Sequence, residues 1–207
     1  MRVYLLVFLC LTVFLSFLSA ETITINEIYY TTKNNGNEAQ WLELYNSSSQ
    51  DVDITGWKIS TSKNSSNAFL IPAGTIINSK GFLVFAASRD VMASLWGLTK
   101  NVIEYGSELT FSETGEDIHL FDATNNEIDV IWYGDGDEMG SSNAASTASF
   151  GSSLARSPDG RDTDNPSRDL TERFPTPAQS NNFTGFSQTT WGKIKAIYSI
   201  KKKLFGV

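Results

Sequence analysis

Two acidic loops in the second half of the chain carry the residues best suited to chemistry. The first reads Asp135-Gly136-Asp137-Glu138, and the second contains three aspartates between residues 159 and 165. Calcium takes about 6–8 oxygen ligands, which flexible loops of Asp, Asn and Gly can supply. Neither loop has EF-hand spacing, and Arg156 or Arg161 could instead neutralise the second one. The calcium candidates are Asp135, Asp137, Asp159, Asp162 and Asp164.

Two glutamates on neighbouring predicted strands, Glu27 and Glu43, form a second candidate site. Paired carboxylates can act as general acid and general base when their environments separate their pKa values. The other interpretation is structural, with each carboxylate accepting hydrogen bonds from loop backbone or pairing with Arg156. We favour the structural interpretation, so neither glutamate is predicted to be catalytic.

Nucleophilic catalysis and zinc chemistry have few residues to draw on. His119 is the only histidine, and it is predicted to point to solvent or into a second sheet because Ile118 and Leu120 share the opposite strand face. The sequence has no Gly-x-Ser-x-Gly elbow, and its one cysteine, Cys10, lies in an apolar N-terminal segment. Zinc sites normally use several histidines or cysteines. We therefore predict no catalytic residue and no cofactor besides calcium, and we expect the chain not to be an enzyme.

The N-terminal segment predicts an exported protein. Arg2 is followed by an almost wholly apolar run from Val3 to Leu18, and Ala20 supplies a small residue for cleavage. This is the pattern of a secretory signal peptide over residues 1–20, with an uncleaved membrane anchor as the alternative. The predicted location is extracellular, periplasmic or on the cell surface.

The rest of the chain divides into an acidic body and a basic tail. Residues 21–182 contain 10 basic and 23 acidic residues, a net charge of −13, whereas residues 183–207 carry a net charge of +5. An acidic body repels the phosphate backbone, so nucleic acid is not expected as a partner. Between Trp191 and Val207, apolar residues fall near helical spacing with lysines among them, which fits a short amphipathic helix on a membrane surface. The alternatives are a sorting or anchoring signal and a packed or disordered end.

Short strands are predicted to position all of these residues. Apolar and polar residues alternate in Thr22–Ile28, Trp41–Tyr45 and Glu127–Tyr133, which is the period of strands with one buried face. Gly81–Ala86 is a continuous apolar run, which fits a strand covered on both faces. About eight such strands with almost no helix indicate an antiparallel β-sandwich.

One helix and two tryptophans stand out from this strand pattern. The helix is predicted from Asp90 to Leu98, with Asp90 as its cap and Gly97 at its end. Trp41 and Trp57 could stack on a carbohydrate ring. Each of them continues an alternating apolar strand, so we favour core positions for both.

The order and spacing of the strand motifs are similar to those of a known family. The motifs are Ile25–Ile28, Trp41–Asn46, Val52–Trp57, Ile71–Thr75, Gly115–Asp122, Ser153–Gly160 and Pro175–Ala178 with Asn181. Together they resemble the lamin tail domain over residues 22–182, except that Ala178 stands where the family usually has glycine. The resemblance implies an all-β, immunoglobulin-like antiparallel β-sandwich without catalytic residues. It also implies a binding role, since the domain binds partners in lamins.

We therefore predict three parts: a signal peptide over 1–20, a lamin-tail-like β-sandwich over 21–182 and a basic tail over 183–207. The expected function is a non-enzymatic, secreted or cell-surface module that binds a protein, glycan or envelope component. The first alternative is an envelope-anchored structural protein held by its basic tail. The second is a divalent-metal-dependent hydrolase that uses the acidic loops.

Overall fold

The computed structural model describes residues 22–32, 36–63, 68–136 and 141–182. The predicted signal peptide, the basic tail with its predicted helix, and Asp137 lie outside the described residues. Within the described ranges, no helix has the length and apolar character needed to cross a membrane.

Short strands dominate the secondary structure, as the alternating pattern predicts. Two helices and two single 3-10 turns, at Asn37–Ala39 and Ser141–Asn143, accompany the strands in the described ranges. The elements in chain order are β1 (Ile23–Tyr29), β2 (Trp41–Asn46), β3 (Val52–Asp53), β4 (Lys58–Ser60), β5 (Phe69–Leu70), β6 (Ile76–Ile77), β7 (Phe82–Ala86), α1 (Arg89–Trp96), β8 (Val102–Glu104), β9 (Gly115–Phe121), β10 (Glu127–Gly134), β11 (Ser153–Arg156), α2 (Pro166–Asp169) and β12 (Leu170–Arg173).

Two sheets form the layers of a sandwich. The larger sheet has six strands in the order β12-β11-β1-β2-β7-β8, and the smaller has four in the order β10-β9-β4-β5. A two-stranded ladder, β3-β6, lies beside them. The ladders are antiparallel apart from β7 with β8, which is parallel. The predicted all-β, immunoglobulin-like sandwich is confirmed.

The core lies between the two sheets and follows the alternation read from the sequence. Ile23, Ile25, Leu42 and Leu44 of the larger sheet belong to one buried cluster with Ile118, Leu120 and Ile131 of the smaller sheet. Each of these side chains is fully shielded from solvent. Burial of one large aliphatic side chain stabilises a fold by about 1.5–3 kcal/mol, so this cluster fixes how the sheets face each other.

The larger sheet is also covered on its outer face. All seven residues of β1 are buried, which an exposed face would not allow. A second apolar cluster forms there, in which Met92 and Trp96 of α1 pack against Tyr29 and Trp41. The Tyr29 and Trp41 rings stack with centroids 5.9 Å apart. Any polar side chain on this face must therefore find its partners within the protein.

Helix α1 begins one residue earlier than the sequence predicts. Its N-cap is Ser88, whose side-chain oxygen accepts a hydrogen bond from the Val91 N–H at 3.3 Å. The prediction that Asp90 caps the helix is wrong, because Asp90 already lies in the first turn, where a negative charge is favourable. Gly97 ends the helix with φ 69°, as predicted, since a left-handed backbone favours glycine.

Candidate functional site

The second acidic loop is organised around one buried arginine. Arg156 of β11 is 1% exposed. Its guanidinium lies 3.0 Å from Asp129 Oδ1, 3.1 Å from Asp162 Oδ1 and 3.5 Å from Asp169 Oδ2. We call these four residues the arginine cluster. Of the three candidate aspartates in this loop, the arginine pairs with Asp162.

The arginine cluster also joins the two sheets through backbone groups of β1. Arg156 Nε donates to the Ile25 carbonyl at 2.9 Å, and the Ile25 N–H donates to Asp129 Oδ2 at 2.6 Å. The β1–β11 ladder pairs Glu27 and Ile28 but does not reach Ile25. A buried backbone group without a partner is costly. The side chains of Arg156 and Asp129 therefore supply the hydrogen-bond partners for the Ile25 backbone that a neighbouring strand supplies elsewhere.

The charges of the arginine cluster compensate one another. Burial raises the pKa of Asp129 to about 6, and the Arg156 guanidinium opposes that shift. Burial works against the Arg156 cation, but the three aspartates raise its pKa above the usual value. At neutral pH the cluster therefore pairs a buried arginine cation with an ionised Asp129.

The other calcium candidates have separate surroundings. Asp159 accepts hydrogen bonds from the Asn26 amide at 3.1 Å and the Asn181 N–H at 2.9 Å. Asp164 and Asp135 are exposed. In the part of the chain that the structure describes, no group of three or more His, Cys, Asp or Glu side chains could hold a metal ion. Calcium binding thus stays a prediction that these residues do not support.

The two candidate glutamates lie directly opposite each other on the outer face of the larger sheet. A bulge at Asn26 shifts the register of β1, so that Glu27 pairs with Glu43 of β2. Directly opposed residues on antiparallel strands have Cβ atoms about 4.5–5.5 Å apart. Both side chains are fully buried. We call Glu27 and Glu43 the glutamate pair.

The last described segment of the chain lies over the glutamate pair and donates to it. We call residues 174–182 the C-terminal strap. Thr176 donates its N–H to Glu27 Oε1 at 3.0 Å and its hydroxyl to Glu27 Oε2 at 3.0 Å. The Ala178 N–H donates to Glu43 Oε2 at 2.6 Å. The predicted role of both glutamates, as acceptors for loop backbone, is confirmed.

Further hydrogen bonds come to the glutamate pair from the sheet. Ser153 of β11 donates its hydroxyl to Glu27 Oε1 at 2.5 Å, and the Asn26 amide donates to Glu43 Oε1 at 3.1 Å. Arg156 belongs to the arginine cluster instead. None of the ion pairs formed among the described residues includes Glu27 or Glu43. All donors to the pair are therefore neutral.

Burial without a cation changes the acidity of the glutamate pair. Burial raises the pKa of Glu27 to about 7, with hydrogen bonds from Ser153 and Thr176 opposing the shift. Burial and the nearby charge of Glu27 together raise the pKa of Glu43 well above its usual value. At neutral pH the pair therefore holds a proton that ordinary glutamates would have lost.

Asp159 fixes the far end of the C-terminal strap. Its carboxylate accepts hydrogen bonds from the Ser180 hydroxyl, the Asn181 N–H and the Asn182 amide. The Asn182 bond measures 3.0 Å. Three carboxylates thus hold one strap, and none of them is free to bind a substrate in this conformation.

The one histidine is buried, so of the two predicted positions, solvent or the second sheet, the solvent position is wrong. His119 lies on the outer face of the smaller sheet, opposite Ile118 and Leu120, yet it is fully shielded. Its Nδ1 lies 2.8 Å from Glu127 Oε2, and its ring stacks on Phe121 with centroids 5.8 Å apart. Cover from neighbouring side chains thus overrides what strand alternation alone predicts.

Both candidate tryptophans occupy apolar packing positions, as predicted. Trp41 is fully buried in the outer cluster, and Trp57 packs against the core between the sheets. A carbohydrate platform needs an exposed ring face, which Trp41 does not have. Asp135 of the first acidic loop and residues 144–147 help to line an open groove of about 620 Å³.

These features define an immunoglobulin-like β-sandwich whose buried charges bind its own backbone. Residues 18–135 match the family model of the Lamin Tail Domain, and the chain belongs to this family. One similar solved structure is that of a DUF4876 family protein from Bacteroides thetaiotaomicron, with 12% sequence identity and a TM-score of 0.46 over 81% of this chain and 74% of that chain. No curated protein matches the sequence.

Sequence reasoning missed most of the partners in these clusters. It singled out Arg156, Glu27 and Glu43, but it did not assign Asp129 to the arginine or the strap amides to the glutamates. One signal was available, because Asp129 shares a strand face with the core residues Ile131 and Tyr133. A charged residue on an apolar face indicates a buried ion pair.

Proposed function

We propose that this protein is an exported, non-enzymatic module that binds a protein, glycan or envelope component. One observation carries the proposal: the side chains that acid–base catalysis would need are buried in structural hydrogen bonds. Glu27 and Glu43 hold the C-terminal strap, and His119 contacts Glu127. A general base must come within hydrogen-bond reach of its substrate, and these groups do not face solvent.

Loops at the surface are the proposed binding elements. Leu70 and Ile76 stand at the two ends of the β5–β6 turn, and their exposed fractions are 57% and 52%. We propose these two exposed apolar side chains as points of contact with the partner. The groove beside Asp135 offers a polar surface elsewhere. These features fit a module that recognises a partner without transforming it.

A substrate panel and a binding assay test the proposal together. We expect no turnover of peptide, ester, glycoside or phosphoester substrates above a buffer blank. Capture of a native envelope component should be weakened by replacing Leu70 and Ile76 with serine, with Leu95→Ser as the control because Leu95 is exposed elsewhere, on α1. Turnover that depends on Glu27, Glu43 or His119 would contradict a non-enzymatic role.

Export is proposed from the sequence of residues 1–20. The apolar run and the small residue at Ala20 support a cleaved signal peptide. Fractionation of the native host and N-terminal sequencing would test it, and we expect a mature chain that begins at Glu21. A protein that stays in the cytoplasm with Met1 intact would contradict export.

A structural role in the envelope is the first alternative. The lysines of residues 183–207 support it, because a basic amphipathic segment binds anionic membrane surfaces. Deletion of residues 186–207 should release the protein from the membrane or surface fraction if the tail is the anchor. An unchanged distribution of the protein between the fractions would contradict an anchoring role for the tail.

A metal-dependent hydrolase is the second alternative, and calcium melting curves test it. Asp164→Asn is the informative variant, because Asp164 is exposed and takes no part in the arginine cluster. Asp162→Ala would not test the metal site cleanly, since it also removes an ion-pair partner of Arg156. A calcium-dependent rise in Tm that Asp164→Asn abolishes would support a metal site. Identical curves in calcium and in EDTA would remove it.

A further inference from the structure

We infer that the C-terminal strap is a pH-responsive latch, closed while the glutamate pair holds a proton and opened when both glutamates ionise. The strap is bound through polar contacts to three buried or half-buried carboxylates, Glu27, Glu43 and Asp159. A latch of this kind needs a bistable element and a titratable group that biases it. The structure supplies both on the outer face of the larger sheet.

The strap is the element that can open. It lies outside the strand ladders, which end with β12 at Arg173. By contrast, β1 is paired on both sides, with β11 and with β2. The strap is held instead by hydrogen bonds to carboxylates, so its attachment depends on their protonation, whereas β1 is held by backbone ladders. The glutamates therefore stay in place when the strap moves.

The charges around the glutamate pair favour opening once the proton is lost. Asp159, in the turn after β11, adds a third negative charge and raises the pKa of both glutamates. Arg173 of β12 contacts the strap, but its guanidinium donates to the Asn181 carbonyl at 3.4 Å rather than to a glutamate. Tyr45 of β2 lies beside Gly160 in the same region. Within the described residues, no ion pair joins a cation to Glu27 or Glu43.

Protonation and closure are linked. An open strap exposes the glutamates to water, where their pKa values return towards the usual 4.5. Hydrogen bonds from the strap lower the pKa of each glutamate, but burial raises it by more, so the net shift is upward. The closed state therefore binds the proton more tightly, and raising the pH favours the open state. A shift in pKa from 4.5 to about 7 allows a change in the opening equilibrium of about two orders of magnitude. We expect at least a tenfold change between pH 6 and pH 9.

Opening would uncover a defined surface. Ala178 of the strap packs against the cluster that contains Tyr29 and Trp41. The strap also precedes residues 183–207, which carry the five tail lysines. A released strap therefore exposes part of an aromatic face. It also adds residues 174–182 to the segment that joins the basic tail to the sandwich.

Hydrogen–deuterium exchange of the full chain tests the latch. Protection factors, corrected for the pH dependence of intrinsic exchange, are measured for peptides covering 174–182 and for peptides of β1 and β2. We expect strap protection to fall at least tenfold from pH 6 to pH 9, while β1 and β2 stay protected. The double variant Glu27→Gln/Glu43→Gln, which has no carboxyl left at the pair, should flatten the pH dependence to less than twofold. Glu108→Gln, a change in an exposed glutamate, should leave the wild-type curve unaltered.

Three results would overturn the inference. One is strap protection in the wild-type chain that does not change over this pH range, a result that needs no variant to fold. Another is a folded Glu27→Gln/Glu43→Gln protein, verified by near-UV circular dichroism, that keeps the full wild-type pH dependence. Parallel loss of protection in β1, β2 and the strap would likewise overturn it, since it would report global unfolding.

Discussion

The arginine cluster and the glutamate pair are two solutions to the same problem on either side of one bulge. Ile25, just before the bulge, is bound by Asp129 and Arg156, whereas Glu27, just after it, is bound by neutral donors. Both sites bury carboxylates, and both use them to satisfy backbone. Only the first contains a cation. The difference decides which carboxylates are charged at neutral pH.

This difference has an energetic consequence. A buried ion pair that loses one partner leaves an uncompensated charge, which costs about 3–5 kcal/mol. A buried carboxyl without a cation can take up a proton instead, so the free-energy cost of burying it depends on pH. The arginine cluster should therefore act as a fixed brace between the sheets, and the glutamate pair as a contact whose strength varies.

Removal of the cation should give the largest effect. Arg156→Met leaves Asp129, Asp162 and Asp169 without their guanidinium, and it also removes a donor to the Ile25 carbonyl. We expect the free energy of unfolding to fall by about 3–5 kcal/mol in urea titrations at pH 7. Arg168→Met is the control, since Arg168 is exposed on α2. Equal losses in the two variants would contradict a special role for Arg156.

The pH dependence of global stability should give the next largest effect. The pKa values of Glu27 and Glu43 are higher in the folded protein than in the unfolded chain, where 4.5 is usual. The folded state therefore binds more protons between pH 5 and pH 8, and its stability must fall as the pH rises through about 7. We expect the protein to be about 2 kcal/mol less stable at pH 8 than at pH 5.

Urea titrations at the two pH values measure this difference. Asp129, whose pKa is about 6, contributes in the same direction, so the double variant Glu27→Gln/Glu43→Gln serves to isolate the share of the glutamate pair. The variant should lose much of the slope. A free energy of unfolding that rises from pH 5 to pH 8 would contradict the assignment of a retained proton to the glutamate pair.

Loss of one neutral donor should have a smaller effect. Ser153→Ala removes the hydroxyl that donates to Glu27 Oε1 at 2.5 Å. A hydrogen bond to a charged group contributes about 1.5–3 kcal/mol, and one to a neutral group about 1 kcal/mol. We expect a loss of about 1 kcal/mol at pH 5 and a larger loss at pH 8, where Glu27 is ionised. A loss independent of pH would mean that Glu27 does not titrate between these values.

The smallest effect should come from the strap backbone. Ala178 has φ 60°, a left-handed conformation that costs an L-residue about 1–2 kcal/mol and glycine almost nothing. Ala178→Gly removes this strain, but it also raises the conformational entropy of the unfolded chain, which offsets part of the stabilisation. We expect a net stabilisation of about 0.5 kcal/mol in thermal or urea unfolding. Ala73→Gly, in an exposed turn without positive φ, should give no gain.

Local sequence accounts for most of the sandwich. Alternation in β1, β2 and β10 assigns strands and buried faces, because a period of two places every second side chain on the same face. Gly97 marks the end of α1 for an equally local reason. Ala178 stands where the family usually has glycine, and its backbone is left-handed. This conformation explains why glycine suits the position.

The polar sites could be predicted only in part. Glu27, Glu43, Arg156 and Asp159 were visible as residues, but the partners that define their chemistry are distant in sequence. Asp129 and Arg156 are separated by 27 positions, and Glu27 and Thr176 by 149. The burial of His119 depends on neighbours across the sheet. No window of sequence contains these pairs.

The sequence by itself determined the class of fold, the acidic body and the shortage of groups for nucleophilic or zinc chemistry, since these follow from composition and local period. Only the tertiary structure decided which carboxylates are charged. That depends on burial and on whether a cation lies within a few ångströms, and both are set by the packing of β10, β11 and the C-terminal strap around the bulge in β1.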